Sequence, residues 1–190
     1  FGQFWAPNIQ AAMNWRLGLK SIVGPSPELD VYQFGVFQGA SMLLLDQLLH
    51  PTTLWGFDSF RGLPETAEPN IQAWRPRAFS ADPRVELAGH SNFKFVEGYF
   101  NESLQGRPAQ RMRPASYIDM DVDLFESTRD ALDFVFRNGI AVEGTYIGYD
   151  DIWVHPCSNP VHPLSVGEGK AHRLVADKYN VTFECANPAC

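Results

Sequence analysis

"SYIDMDVDLFESTRDALDFVF" runs from Ser116 to Phe136. A short apolar stretch ends in acids at Asp119, Asp121 and Asp123, and from Glu126 onward apolar residues recur at helical spacing. That is a strand followed by the helix of a parallel crossover. Side chains two apart on a strand point the same way, about 6 to 7 Å apart, so an extended backbone would align mutually repelling carboxylates where a buried strand stops. Three resolutions are open. The strand ends before Asp123 and the acids fan into solvent, a cation sits among them, or one carboxyl keeps its proton.

The same alternation recurs outward from this stretch. "VYQFGVF" (31–37), "TTLWGFD" (52–58), "FKFVEGY" (93–99), "ASYIDMD" (115–121) and "GTYIGYD" (144–150) are candidate strands. Most are apolar on both faces, as parallel strands covered by helices must be. "GASMLLLDQLL" and "ESTRDALDFVFRNG" have helical spacing, the second closing on Gly139. A last helix, "GKAHRLVADKY", leads to a final strand in "NVTFECA". The loops richest in Pro and Gly, "DSFRGLPETAEPN" and "HPCSNPVHPLSVGEG", follow the second and fifth strands, where such sheets carry ligand-binding loops. The expected organisation is one domain over 1–190. It comprises an N-terminal helical segment (1–28), a ligand-binding core (31–150), a loop (152–166), and a terminal helix and strand (167–190).

Composition narrows the partners. The 190 residues, 45% hydrophobic and 13% aromatic, suffice for one substantial core. With 15 basic against 22 acidic side chains and a net charge of -7, there is no basic stripe to release counterions from a phosphate backbone, so nucleic acid is not an expected partner. No apolar run is long enough to span a bilayer, and "FGQFWAPNIQAAMNWRLGLK" lacks the layout of a signal peptide. No membrane association and a cytoplasmic location are expected, with a homo-oligomer left open. Cys157, Cys185 and Cys190 show no CxxC spacing, which favours free thiols over a disulfide framework or a zinc knot.

Read together, the strand ends share one chemistry. Gly35 and Gly39 after the first strand would let backbone approach a ligand. Asp58, closing the second, is suited to accept hydrogen bonds from ribose hydroxyls. Neither GxxxxGK[ST] nor GxGxxG occurs, so an adenosine-bearing ligand without phosphates fits better than a nucleoside triphosphate or a nicotinamide cofactor. The cation reading of the acids gains weight from "YDDIW": Asp150 and Asp151 end the fifth strand, which in this topology lies beside the fourth. An all-oxygen cluster suits Mg²⁺, and zinc fits worse. The bland alternative makes Asp123 and Glu126 helix-start decoration and Asp150 and Asp151 a polar turn.

These residues resemble those of the class I S-adenosylmethionine-dependent methyltransferases, specifically the metal-dependent macrocin-type sugar O-methyltransferases. "VYQFGVFQGAS" is similar to their first motif and "LWGFDSFRGLPE" to their second-strand segment. "VEGYFNESL", "DVDLFESTRDAL" and "YIGYDDIW" are similar to the third-strand segment, the DxDxYEST segment and the fifth-strand Asp pair. The resemblance implies an α/β, Rossmann-like class I methyltransferase fold with a mostly parallel sheet and helices on both faces. It implies that Gly35, Gly39 and Ser41 follow the methionine end of S-adenosylmethionine, that Asp58 holds the ribose with Ser59 also binding the cofactor, and that Gly98, Tyr99 and Phe100 border the adenine. Asp119 falls one alternation before the metal set, either as an acid backing the metal ligands or as a strand residue near the cofactor, and Asp121, Asp150 and Asp151 would hold Mg²⁺. Gln33 stands where the family usually carries an acid, and Phe125 replaces its Tyr.

The implied reaction is methyl transfer to a hydroxyl of a small polar acceptor, a sugar-like or natural-product molecule. His155 and His162, in the loop after the metal pair, are candidates for the base. Two rival readings stand beside it. One takes "DVD" as the DxD of a metal-dependent glycosyltransferase, and the other takes the chain as an inactive methyltransferase-like binding module. A DxDx[TV] phosphatase is disfavoured because Asp123 occupies the Thr or Val position.

Overall fold

The computed structural model describes residues 16–24, 26–65, 75–106, 108–152 and 163–186. Its centre is a five-stranded sheet, all parallel, built from β1 (Asp30–Phe34), β2 (Leu54–Asp58), β3 (Phe93–Glu97), β4 (Ala115–Met120) and β5 (Tyr146–Tyr149) in the order β3-β2-β1-β4-β5. The α-helices lying wholly within the described residues are α1 (Leu19–Ile22), α2 (Ala40–Leu49), α3 (Phe100–Ser103), α4 (Phe125–Arg137) and α5 (Gly167–Tyr179).

Strand alternation sorts the core into two layers. Tyr32, Phe34, Ile118 and Met120 point to one face, where they meet Ala131, Leu132 and Val135 of α4 and Ala171 and Val175 of α5. Val31, Leu54 and Tyr117 point to the other, against Met42 and Leu45 of α2 and against Leu19 and Val23 of the N-terminal segment. The sheet is thus covered on both faces, as its apolar strands require. Asp133 of α4 also pairs with Lys178 and accepts a hydrogen bond from Tyr179 (2.7 Å), tying α4 to the end of α5.

Several expected strands stop early, and each stop has a local cause. β1 ends at Phe34 because Gly35 turns to φ 86°, and β3 ends at Glu97 because Gly98 turns to φ 130°. Residues 181–185 form no strand, contrary to expectation. Phe183 packs its ring 4.1 Å from His172, tilted, and 6.0 Å from Phe136, edge to face, which holds this segment on the helical layer and away from the sheet edge. Cys185 is disulfide-bonded, so the reading of three free thiols does not hold.

Candidate active site

From β1 the chain proceeds outward through β2 and β3, and it then returns to build β4 and β5 on the opposite side. A crevice opens beyond the carboxyl ends of strands at such a reversal. A pocket of about 250 Å³ lies there and crosses the ends of the whole sheet, meeting in turn Gly98, Asp58, Gly35, Asp121 and Asp150. Phe37 and Phe79, packed edge to face at 5.6 Å, also line it.

At the β2 end, Asp58 Oδ2 accepts hydrogen bonds from the backbone N–H of Val36 (2.7 Å) and Phe37 (3.0 Å), and Oδ1 accepts one from Phe60 (2.8 Å). A carboxylate offers about four acceptor sites, so most of Asp58's capacity is already spent shaping the turn after β1. Asp58 lines the pocket as expected of a ribose-side residue, but it is first a clamp on the neighbouring loop. Ser59 is similar: it lines the pocket while its hydroxyl donates to Gly62 O (2.9 Å) and accepts from Arg61 N (3.1 Å). Gly98, Tyr99 and Phe100 line the same end, and the Tyr99 carbonyl starts α3 by accepting from Glu102 and Ser103.

Three residues expected along the cofactor are not pocket-lining among the described residues. Gly39 caps α2 at φ 79°, and a Cβ there would lie 2.6 Å from Leu87 Cδ1, so packing explains this glycine. Ser41 Oγ accepts from Gln33 Nε2 (2.6 Å), and the same amide donates to Gly35 O (2.8 Å). Gln33 therefore braces the first turn from beneath, and its Oε1 is buried without a hydrogen-bond partner. Asp119 is fully buried behind the pocket wall, where it accepts from Tyr117 OH (2.7 Å) and from Arg16.

The acids of β4 and β5 come together. Asp121 N donates to Phe34 O and Asp150 N donates to Met120 O, both at 2.9 Å, so each acid sits one step past its strand with the ladder still fixing its backbone. Asp121, Asp150 and Asp151 each offer a carboxylate oxygen within 4.8 Å of the others. Asp123, at φ 61°, lines the same pocket beside Asp151. Burial first, and then the neighbouring Asp150, pushes the Asp121 carboxyl well up from its ordinary range. Burial likewise raises Asp123 and Asp150, and brings Asp151 to about 6.

Two residues of this centre carry no signal in the sequence. Arg16, 3% exposed, reaches Asp119, Asp150 and Asp121 through one guanidinium, though these partners lie more than a hundred positions away. Glu168, in the first turn of α5, is buried, and its Oε2 accepts from Asp151 N (3.0 Å). Its Oε1 has no hydrogen-bond partner, and burial and Asp151 push its carboxyl up. The cluster thus holds more negative potential than Arg16 offsets, and its donors are all oxygen. That is the chemistry of a hard divalent cation site. His155 and His162 lie outside the described residues.

The profile of the macrocin-O-methyltransferase (TylF) family matches residues 16–165. The chain is 26% identical over 185 residues to demethyldecarbamoylnovobiocin O-methyltransferase of Streptomyces niveus, covering 84% of this chain and 69% of that protein. It is 26% identical over 152 residues to 8-demethyl-8-(2,3-dimethoxy-alpha-L-rhamnosyl)-tetracenomycin-C 4'-O-methyltransferase of Streptomyces olivaceus, covering 70% of this chain and 56% of that protein. Among solved structures, the O-methyltransferase NovP superposes with a TM-score of 0.66 at 20% identity, over 91% of this chain and 74% of that one. No described helix is long and apolar enough to cross a membrane.

Proposed function

The chain belongs to the macrocin-O-methyltransferase (TylF) family of S-adenosylmethionine-dependent O-methyltransferases, and from that premise we propose that it methylates a hydroxyl of a small sugar-like or natural-product acceptor with the help of Mg²⁺. One observation carries this reading: a single pocket joins the Asp58 end of the sheet to the Asp121, Asp150 and Asp151 cluster, so a donor and an acid-held acceptor would meet in one space.

S-adenosylmethionine would supply the methyl group, its adenosine lying toward Gly98 to Phe100 and Asp58. Mg²⁺ held by Asp121, Asp150 and Asp151 would act as a Lewis acid toward the acceptor hydroxyl. The chain's own task is to bring that hydroxyl to the acid end of the pocket and receive its proton. Asp123 neighbours the ligand set without belonging to it, and a cation on that set would draw off the proton that burial and the adjacent acids now favour on Asp123, leaving a carboxylate suited to the second role. His155 and His162 remain alternatives from the loop that follows. The sugar character of the acceptor is supported by the relative named for the 4' oxygen of a rhamnosyl tetracenomycin.

Family membership removes the glycosyltransferase reading of "DVD". The test is isothermal calorimetry with S-adenosylhomocysteine, followed by methyl transfer to a panel of glycosides with and without EDTA. Saturable binding and EDTA-sensitive turnover are expected. Absence of S-adenosylhomocysteine binding overturns the reading, and turnover indifferent to EDTA removes Mg²⁺ from it.

A further inference from the structure

The acid cluster is crossed by a side chain from outside the sheet. Arg16 precedes α1, whose Leu19, together with Val23 just beyond its end, is buried in the core under β1 and β4, so the backbone that carries Arg16 is anchored. The guanidinium spreads its donors over different carboxylates. Nε and Nη2 take the two oxygens of Asp119 at 3.2 and 3.0 Å. Nη1 takes Asp150 Oδ1 at 2.9 Å, and Nη2 also reaches Asp121 Oδ2 at 3.4 Å.

Asp119 is therefore wholly committed, whereas Asp121 and Asp150 are each engaged through one oxygen. The other oxygen of each is free of Arg16 to face an ion, and an ion taking both oxygens of either carboxylate would have to share one of them with the guanidinium. The spread of the cluster does not by itself choose among cations, because donors up to 4.8 Å apart can close on a small ion or open to a larger one. Denticity does choose. Mg²⁺ takes six donors at about 2.0–2.1 Å, one oxygen per carboxylate, with water in the remaining positions; Ca²⁺ takes six to eight at about 2.3–2.6 Å and gains from two-oxygen carboxylates.

We infer that Arg16 is a positioning residue of the metal centre: by engaging one oxygen of Asp121 and one of Asp150 it disfavours two-oxygen binding by either carboxylate and tilts the site toward Mg²⁺ over Ca²⁺. The inference rests on the reading that Asp121, Asp150 and Asp151 bind an ion. Lysine cannot substitute. An ammonium is a compact point charge without the planar fork that grips separate carboxylates at fixed angles.

The test is calorimetric titration of the full chain with Mg²⁺ and with Ca²⁺, without donor or acceptor, for wild type and Arg16→Lys. The variant keeps the charge but loses the grip, so the Ca²⁺-to-Mg²⁺ affinity ratio should rise at least about tenfold, since a tenfold change corresponds to one good interaction. A general loss of structure would weaken both ions together, and circular dichroism of the variant identifies that case before the ratio is read. Should Arg16→Lys fail to fold, Arg16→Gln combined with Asp119→Asn removes the guanidinium along with the buried charge it offsets, and the same rise is expected.

Wild type carries its own check. Tb³⁺, an ion of Ca²⁺-like chemistry, should retain the water count left by single-oxygen donors, read from luminescence lifetimes in H₂O and D₂O; a lower count overturns the inference. Ion binding by wild type with an unchanged ratio in the variants also overturns it while leaving the metal reading intact. No ion binding by wild type overturns both.

Discussion

Gly35 presses against the backbone of Asp121: a Cβ built on Gly35 would lie 1.8 Å from the Asp121 carbonyl oxygen. At φ 86° the position also disfavours any L side chain. Gly35→Ala should therefore cost about 3 kcal/mol or more, combining backbone strain with a clash that cannot relax cheaply. Gly139→Ala is the control, since φ is 65° there but nothing lies within 4 Å of the added Cβ. It should cost about 1–2 kcal/mol. Urea unfolding of both variants measures the difference.

Asp121→Asn and Asp150→Asn should separate catalysis from donor binding. Each removes a charged oxygen donor, and loss of several kcal/mol of Lewis-acid assistance corresponds to about a 100-fold or greater fall in kcat. The affinity for S-adenosylhomocysteine should change by less than about threefold. Parallel turnover and calorimetry check this, and a large loss of donor affinity in either variant contradicts the division of labour.

Asp58→Ala should damage both fold and donor binding, because it strands the N–H groups of Val36, Phe37 and Phe60 that the carboxylate now satisfies. A loss of about 2–4 kcal/mol is expected. Asp58→Asn keeps one acceptor oxygen and should fall between wild type and Asp58→Ala in urea unfolding and in S-adenosylhomocysteine titration.

His172 sets a pH dependence distant from the acids. Burial lowers its pKa below the ordinary 6.5, and its Nδ1 is hydrogen-bonded with Tyr149 OH at 2.9 Å. As the pH falls below 6.5 the unfolded chain takes up a proton that the folded chain resists, so this contribution to stability is lost toward acid. Denaturation at several pH values should show the stability gap between wild type and His172→Gln narrowing as the pH drops, and a gap that is constant with pH rejects the assignment.

What was legible in the sequence was what local pattern carries. β2 ends at Asp58 as read, the helix of Phe125–Arg137 follows from its periodicity, and the proximity of Asp121 to Asp150 follows from parallel order. Strand lengths were overread because apolar residues continue past Gly35 and Gly98, where a glycine turns the backbone and apolarity does not report it. Arg16 and Glu168 were illegible for a different reason. Each is a lone charge in an unremarkable segment, and its role comes from partners that only the folded chain brings near. Asp119 and Ser41 were placed by position in a motif, whereas their contacts are with Arg16 and Gln33 behind the pocket.

Arg16 leaves the ribosome 134 residues ahead of Asp150. At about 5–20 residues per second that interval is roughly 7 to 27 s. Through it the nascent N-terminal segment carries a cation whose counterpart on β5 has yet to be translated. The β4 acids emerge earlier than the β5 pair, so the guanidinium can settle first on Asp119 and Asp121. Its reach to Asp150 then becomes a late latch, closed only when β5 is laid beside β4.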